Sequence, residues 1–135
     1  MILALAPACL LMTVPDAYGD RNGHMNMRWY LAIFDEAADE VQLRLGLTPE
    51  HHREHRVALL DLELHLHYLG EVRPGEAIAV YARLVGHSPK RLHYLLFMVN
   101  EAQGRLAAIC ECLGMFTDLA ARKSAPFPPA MQAKM

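Results

Sequence analysis

A chain of 135 residues fits one ordinary domain, and at that size folding takes roughly two thirds of the unfolded surface out of water, so two independent cores are excluded. Hydrophobic residues make up 53% and charged residues 21%, with eight Gly and eight Pro, a balance that excludes collagen-like, low-complexity and intrinsically disordered classes. Thirteen Lys plus Arg against fifteen Asp plus Glu leave a formal charge of −2, too little positive field to hold a nucleic-acid backbone.

Three cysteines are an odd number, and Cys110 and Cys112 stand two apart on one strand-like run. A disulfide framework is therefore not expected, and a reducing, cytoplasmic setting is. The apolar opening from Ile2 to Met12 has no Lys or Arg before it and is short of the ~20 residues of a membrane span, so it reads as a buried first strand and not as a leader or an anchor. From Met27, apolar residues recur at Tyr30, Leu31, Phe34, Ala38, Val41 and Leu45, which is helical spacing. Asn26 can cap that helix and Gly46, before Thr48 and Pro49, can stop it. Trp29, Ile33, Ala37 and Leu43 widen the stripe, so the helix is expected to lie in a sheet that curves round it, with Asp35, Glu36, Asp39 and Glu40 facing elsewhere. The HHREH run at 51–55 reads as a solvated loop.

Leu60 to Leu66, LDLELHL, alternates like a strand with one apolar face and places Asp61, Glu63, His65 and His67 together on the other. Turn signals at VRPG (72–75), Ser88-Pro89 and AQG (102–104) separate three further strands, and the short connections predict that successive strands pair antiparallel. The fold class is α+β: one sheet on one helix, in a single domain over 1–123, followed by a Pro-rich tail over 124–135 that is loose or packed as an extended flap. A single layer leaves an edge and an outer face uncovered, which predicts a homo-oligomer.

The densest run of chemistry-bearing residues is Asp20 to Tyr30, DRNGHMNMRWY, where a loop enters the helix. The first helical turn has backbone N–H groups without intrahelical partners and about half a positive charge, so it can stabilise an oxyanion on a bound carbonyl. Gly23 lets the chain approach closely. Asp20 can attack the carbonyl or deprotonate a water, and His24 and Asn26 offer hydrogen bonds to position either. The same Asp also suits a turn residue accepting backbone hydrogen bonds, and Asn26 a helix cap. Lys90 and Arg91 are candidates for gripping phosphates. His51 and His55 lack a convincing third ligand, so no metal site is expected.

The motif D-x-x-G-H-M-N-x-x-x-Y, present as Asp20, Gly23, His24, Met25, Asn26 and Tyr30, resembles that of the hotdog-fold acyl-CoA thioesterases of the 4-hydroxybenzoyl-CoA thioesterase type. KRLHY at 90–94 and the run from Gly104 to Asp118 extend the likeness over most of the chain. The resemblance implies a helix wrapped by an antiparallel sheet, a homodimer or dimer of dimers with active sites between subunits, Asp20 as the catalytic carboxylate and the backbone N–H near Met27 as the oxyanion donor. Met27 stands where relatives often carry a second Asn, a change that a backbone donor survives. The string DRNGHMNMRWYLAIFDEA is also similar to thioesterases of carnitine and betaine metabolism, which implies a quaternary ammonium acyl group; Trp29, Tyr30 and Phe34 then offer a cation–π surface. The expected activity is hydrolysis of an acyl-CoA thioester without metal or redox cofactor, with no nucleic-acid or membrane partner. The alternative is a non-catalytic hotdog module that binds acyl thioesters or small ligands. Asp35 and Glu36 stay outside candidates for a mid-helix carboxylate.

Overall fold

The computed structural model describes residues 7–135. Strand β1 (Leu10–Thr13) and a short 3-10 turn at Asp16–Tyr18 lead into helix α1 (Met27–Arg44) and helix α2 (Pro49–His55). Strands β2 (Val57–Tyr68), β3 (Ala77–His87), β4 (Arg91–Asn100) and β5 (Arg105–Asp118) follow, then β6 (Lys123–Ser124) and the single turn α3 (Pro129–Gln132). The expected first strand begins at Leu10, and its part over residues 2–6 lies outside the described residues. Among the described residues no helix is long and apolar enough to cross a membrane.

Helix α1 forms where the 3.6-residue spacing required it. Tyr30, Ile33, Phe34, Ala37 and Val41 are its buried face, and the chain leaves it through Gly46 at φ 89°, a left-handed conformation that a Cβ disfavours. The sheet supplies the other half of the core: Leu92, Tyr94, Leu96 and Met98 of β4 and Cys110, Cys112 and Phe116 of β5 are all buried, as the two-residue period of a strand dictates.

All strand pairs are antiparallel, in the order β1-β3-β4-β5-β2, with β6 on β5. Successive pairing holds for β3, β4 and β5. It fails for β2, which pairs with β5 and not with β3. The segment Leu69–Glu76 is a crossover and not a hairpin: the N–H groups of Leu69 and Gly70 donate to the Ala107 carbonyl of β5 and carry the chain away from its own next strand.

A second departure lies inside β2. The register against β5 slips between Asp61 and Glu63, where Leu62 is the extra residue of a bulge. Because side chains alternate with period two, one inserted residue reverses every side chain beyond it. Asp61 pairs with Gly114 and Leu64 with Cys112, both on the helix side, whereas Glu63 and His65 pair with Leu113 and Glu111 on the outer face. The expected common row of Asp61, Glu63 and His65 is thus broken. Asp35 also departs from expectation, since it faces the same crevice as Asp61.

The HHREH run is helical, not a loop: Thr48 accepts from the His51 N–H and Pro49 opens α2, a good N-terminal pairing. Residues 124–135 pack on the domain. Phe127 and Met131 are buried, and Phe127 donates its N–H to Pro89 in the β3–β4 turn.

Candidate active site

Asp20 sits at the start of a tight reversal. Its N–H donates to the His24 carbonyl, its carbonyl accepts from Gly23, and its Oδ1 accepts from the Asn22 N–H at 2.8 Å. Gly23, at φ 79°, takes the positive φ that closes this turn. Gly19 allows the loop to seat, because a Cβ there would stand 2.8 Å from the Pro74 ring. One carboxylate oxygen is therefore committed to holding the loop.

The amides that enter α1 are almost all used. Met25 N–H donates to Val72, Asn26 N–H to Tyr18 and Trp29 N–H to Asn26. Arg28 N–H donates to Asn26 Oδ1 at 3.2 Å, so Asn26 is the N-cap. Met27 N–H alone in this stretch has no partner among the described residues. Met27 is 70% exposed and lines an open groove of about 490 Å³ with Asp20, His24, Asn26, Tyr30, Tyr68 and Glu71. A backbone donor at the positive end of a helix beside a carboxylate is what an oxyanion site needs.

Glu71 was not among the expected site residues. It pairs with His24 in the groove and with Arg73 at 3.1 Å, so it anchors the imidazole. Its signal was hidden in a turn: Glu71 precedes VRPG, which reads as punctuation. Glu76 organises the same turn, accepting from the Arg73 N–H, the Asn100 amide and the Gln103 amide. Burial works to raise the Glu76 carboxyl, but those hydrogen bonds and the Arg73 charge outweigh it and hold it below its ordinary value of 4.5. A depressed carboxylate adds stability above the unfolded range and loses it as pH falls through the lower folded value. Glu76→Ala is expected to cost about 1–3 kcal/mol near neutral pH, with the deficit shrinking on acidification; thermal melts at about pH 7 and about pH 3.5 measure both.

The three aromatics expected to form one cation-binding surface are separated. Trp29 stacks flat on Tyr18 at 3.9 Å, with the Arg28 guanidinium 6.0 Å from its ring centre. Tyr30 meets Tyr68 edge to face in the groove. Phe34 lines a different cavity further along α1. Lys90 and Arg91 are also remote from Asp20 within one protomer. Arg91 opens β4, whereas Asn100 at its far end is the residue bonded to Glu71, and nine residues of strand span roughly 30 Å.

The His51 and His55 rings lie 4.4 Å apart, tilted by 40°, and among the described residues no group of three His, Cys, Asp or Glu side chains is placed to hold a metal. The Cys110 and Cys112 sulfurs lie 3.6 Å apart and buried.

An antiparallel sheet curled round one long helix is the hotdog architecture. The model of the thioesterase-like superfamily matches residues 14–135. The betainyl-CoA thioesterase of Pseudomonas aeruginosa is 32% identical over 116 residues, 86% of this chain and 73% of that protein. The L-carnitine dehydrogenase/betainyl-CoA thioesterase of Rhizobium meliloti is 29% identical over 88% of this chain, which spans only 24% of that longer protein. A Staphylococcus aureus protein solved in complex with CoA is 28% identical, with a TM-score of 0.88 over 93% of this chain and 78% of that one. The chain belongs to the thioesterase-like superfamily, and it is a thioester hydrolase.

Proposed function

We propose that the groove at the head of α1 hydrolyses an acyl-CoA thioester. The observation that carries this reading is the unpaired Met27 N–H beside the Asp20 carboxylate. The thioester oxygen accepts from that amide, which stabilises the negative charge of the tetrahedral intermediate. Asp20 delivers the new oxygen, either by taking a proton from water as it attacks or by attacking through its own carboxylate and releasing the acid from a mixed anhydride with water. On both routes the C–S bond breaks, the sulfur leaves as thiolate and is protonated, and one water is consumed. His24, held by Glu71, and Asn26 position the loop that carries Asp20.

A second copy of the chain belongs in this reading. β2 is a sheet edge, and around its bulge it exposes Leu60, Leu62 and Leu64 at 43%, 46% and 41%, apolar surface that an aqueous edge strand avoids. Antiparallel pairing of two such edges sets the Val57 end of one against the Tyr68 end of the other. The partner's Lys90 and Arg91 then approach the Asp20 groove from which they are remote within one protomer, as phosphate-binding candidates. The free thiols of Cys9, Cys110 and Cys112 support a reducing, cytoplasmic setting.

Free-thiol release from a panel of acyl-CoAs tests the reading, beginning with betainyl-CoA because the Pseudomonas aeruginosa relative carries that name. Turnover by the wild type and its loss in Asp20→Asn is the expected result. Binding of the panel with no thiol release would make the chain a binding module instead, and turnover unchanged in Asp20→Asn would remove Asp20 from the chemistry.

A further inference from the structure

The pairing of His24 with Glu71 has the build of a proton-transferring dyad. Nε2 of the imidazole meets Glu71 Oε2, while Glu71 Oε1 accepts from Arg73 Nη2 at 3.1 Å, so each carboxylate oxygen has a partner of its own. The backbones behind the pair are tied as well: the N–H of Met25, next to His24, donates at 2.7 Å to the carbonyl of Val72, next to Glu71. With Nε2 engaged, the second ring nitrogen, Nδ1, has no hydrogen-bond partner among the described residues. A carboxylate behind one imidazole nitrogen fixes the ring and stabilises the imidazolium, which leaves the other nitrogen to exchange a proton with whatever lies before it.

Pairing alone would not make a site. His93 and Glu111 form the same kind of pair at 2.8 Å, but on the outer face of the sheet, with Glu63, His65 and Leu113 around them. His24 and Glu71 differ in what shares their groove: the Asp20 carboxylate and the Met27 N–H. The groove also has a direction. Tyr30 in its wall is 5% exposed, whereas the His24 and Glu71 side chains are 41% and 38% exposed. Coenzyme A is too large and too polar for the buried side, so a thioester with its oxygen at the Met27 amide turns its acyl group toward Tyr30 and its coenzyme outward. The sulfur joins the two halves and comes past the exposed pair.

We propose that His24 is the general acid of the reaction, protonating the departing sulfur from Nδ1, and that Glu71 is its positioning residue. The inference rests on the hydrolytic reading of the groove and adds to it the fate of the sulfur. As the tetrahedral intermediate collapses, the C–S bond breaks with its electron pair going to sulfur. The Nδ1–H bond breaks with it, and the proton forms the S–H bond of the free thiol. His24 is left neutral, its Nε2–H still donating to Glu71. Where Asp20 took a proton from the attacking water, it returns that proton to the ring through solvent in the open groove; on the other route the water that opens the mixed anhydride supplies it. Each cycle therefore consumes one water and leaves both side chains in their starting forms.

Thiol release in a single turnover, with enzyme in excess over the acyl-CoA that the wild type cleaves fastest, tests the assignment. His24→Gln keeps an amide donor for Glu71 but has no proton to give. Its melting temperature and CoA affinity should stay near those of the wild type while C–S cleavage slows by ~10²-fold. His24→Ala opens a gap in a groove of about 490 Å³, which free imidazole can enter. Added imidazole should raise the rate of that variant by ~10-fold or more, and a series of substituted imidazoles should do so in the order of their acidity. Glu71→Gln should slow the same step, and combined with His24→Ala it should abolish the rescue, since the carboxylate that seats the ring is gone. Full turnover in His24→Gln overturns the proposal, as does a slow His24→Ala variant that imidazole leaves slow or restores without regard to acidity, for His24 would then only fill space. Rescue that survives Glu71→Gln overturns the part given to Glu71. A wild type that releases no thiol from any acyl-CoA would sink the hydrolytic reading; turnover lost in Asp20→Asn but kept in His24→Gln would sink this inference alone.

Discussion

Met27→Pro is expected to lower kcat by roughly 10²–10³ while leaving the fold and its stability nearly unchanged. The position is the first residue of α1, where a proline is tolerated because the missing N–H has no helical partner to lose. The preceding Asn26, at φ −65° and ψ 145°, already has the extended conformation that a following proline demands. The substitution therefore deletes one proton from the groove and little else. Met27→Ala controls for the loss of the exposed side chain and should keep nearly full turnover, since it keeps the amide. Equal thermal melting points beside a collapsed kcat would identify the Met27 N–H as the oxyanion donor. Equal kcat in the proline variant would show that another group holds the oxygen, and the proposed geometry would fail. Single turnover in heavy-oxygen water then tests the two routes for Asp20: activated water labels the first acid released and leaves the enzyme unlabelled, whereas label in the Asp20 carboxylate with an unlabelled first acid identifies direct attack with water adding at the Asp20 carbonyl of the mixed anhydride.

The groove was legible because it is local. Asp20, Gly23, His24 and Asn26 lie within seven residues of one another, and turn closure, capping and free helix amides are all set by near neighbours. Helix α1 was legible for the same reason, its apolar spacing being a property of eighteen consecutive residues. The alternation of β4 and β5 likewise shows in their runs of Leu, Tyr, Cys and Phe. What did not show was decided by partners distant in sequence. The slip at Leu62 exists only against β5; LDLELHL alternates without fault, so nothing in it reveals that Asp61 and Glu63 face opposite ways. Glu71 reaches His24 across forty-seven positions, and its strand-to-strand connection replaced the hairpin that a short turn signal invited. Lys90 and Arg91 carry suitable chemistry, but strand length places them at the other end of the protomer. Composition announces a charge and a fork of donors, whereas register and length decide what they can touch.

Phe127→Ala is expected to destabilise the domain by about 3–5 kcal/mol, a large fraction of what holds a chain of this size folded. The side chain is 2% exposed and joins the same buried cluster as Phe116, Leu92 and Met131, with the Phe116 ring centre 5.0 Å away. Truncation removes the transfer free energy of a benzyl group and leaves a hole that surrounding strands, pinned by their ladders, fill only in part. The consequence reaches beyond stability. The Phe127 N–H donates to Pro89 at 2.8 Å, and Ala125 N–H donates to Phe116 at 3.0 Å, so the last twelve residues clamp the turn that presents Lys90 and Arg91. Where the variant remains folded, at low temperature, it should therefore raise KM for acyl-CoA more than it lowers kcat, since the phosphate-binding candidates loosen while the distant Asp20 loop keeps its own hydrogen bonds. Urea unfolding measures the first effect, and steady-state kinetics below the melting transition the second. A change in stability of less than about 1 kcal/mol would mean that the tail is an ornament on a domain complete without it. A fall in kcat at constant KM would instead place Lys90 and Arg91 outside coenzyme binding.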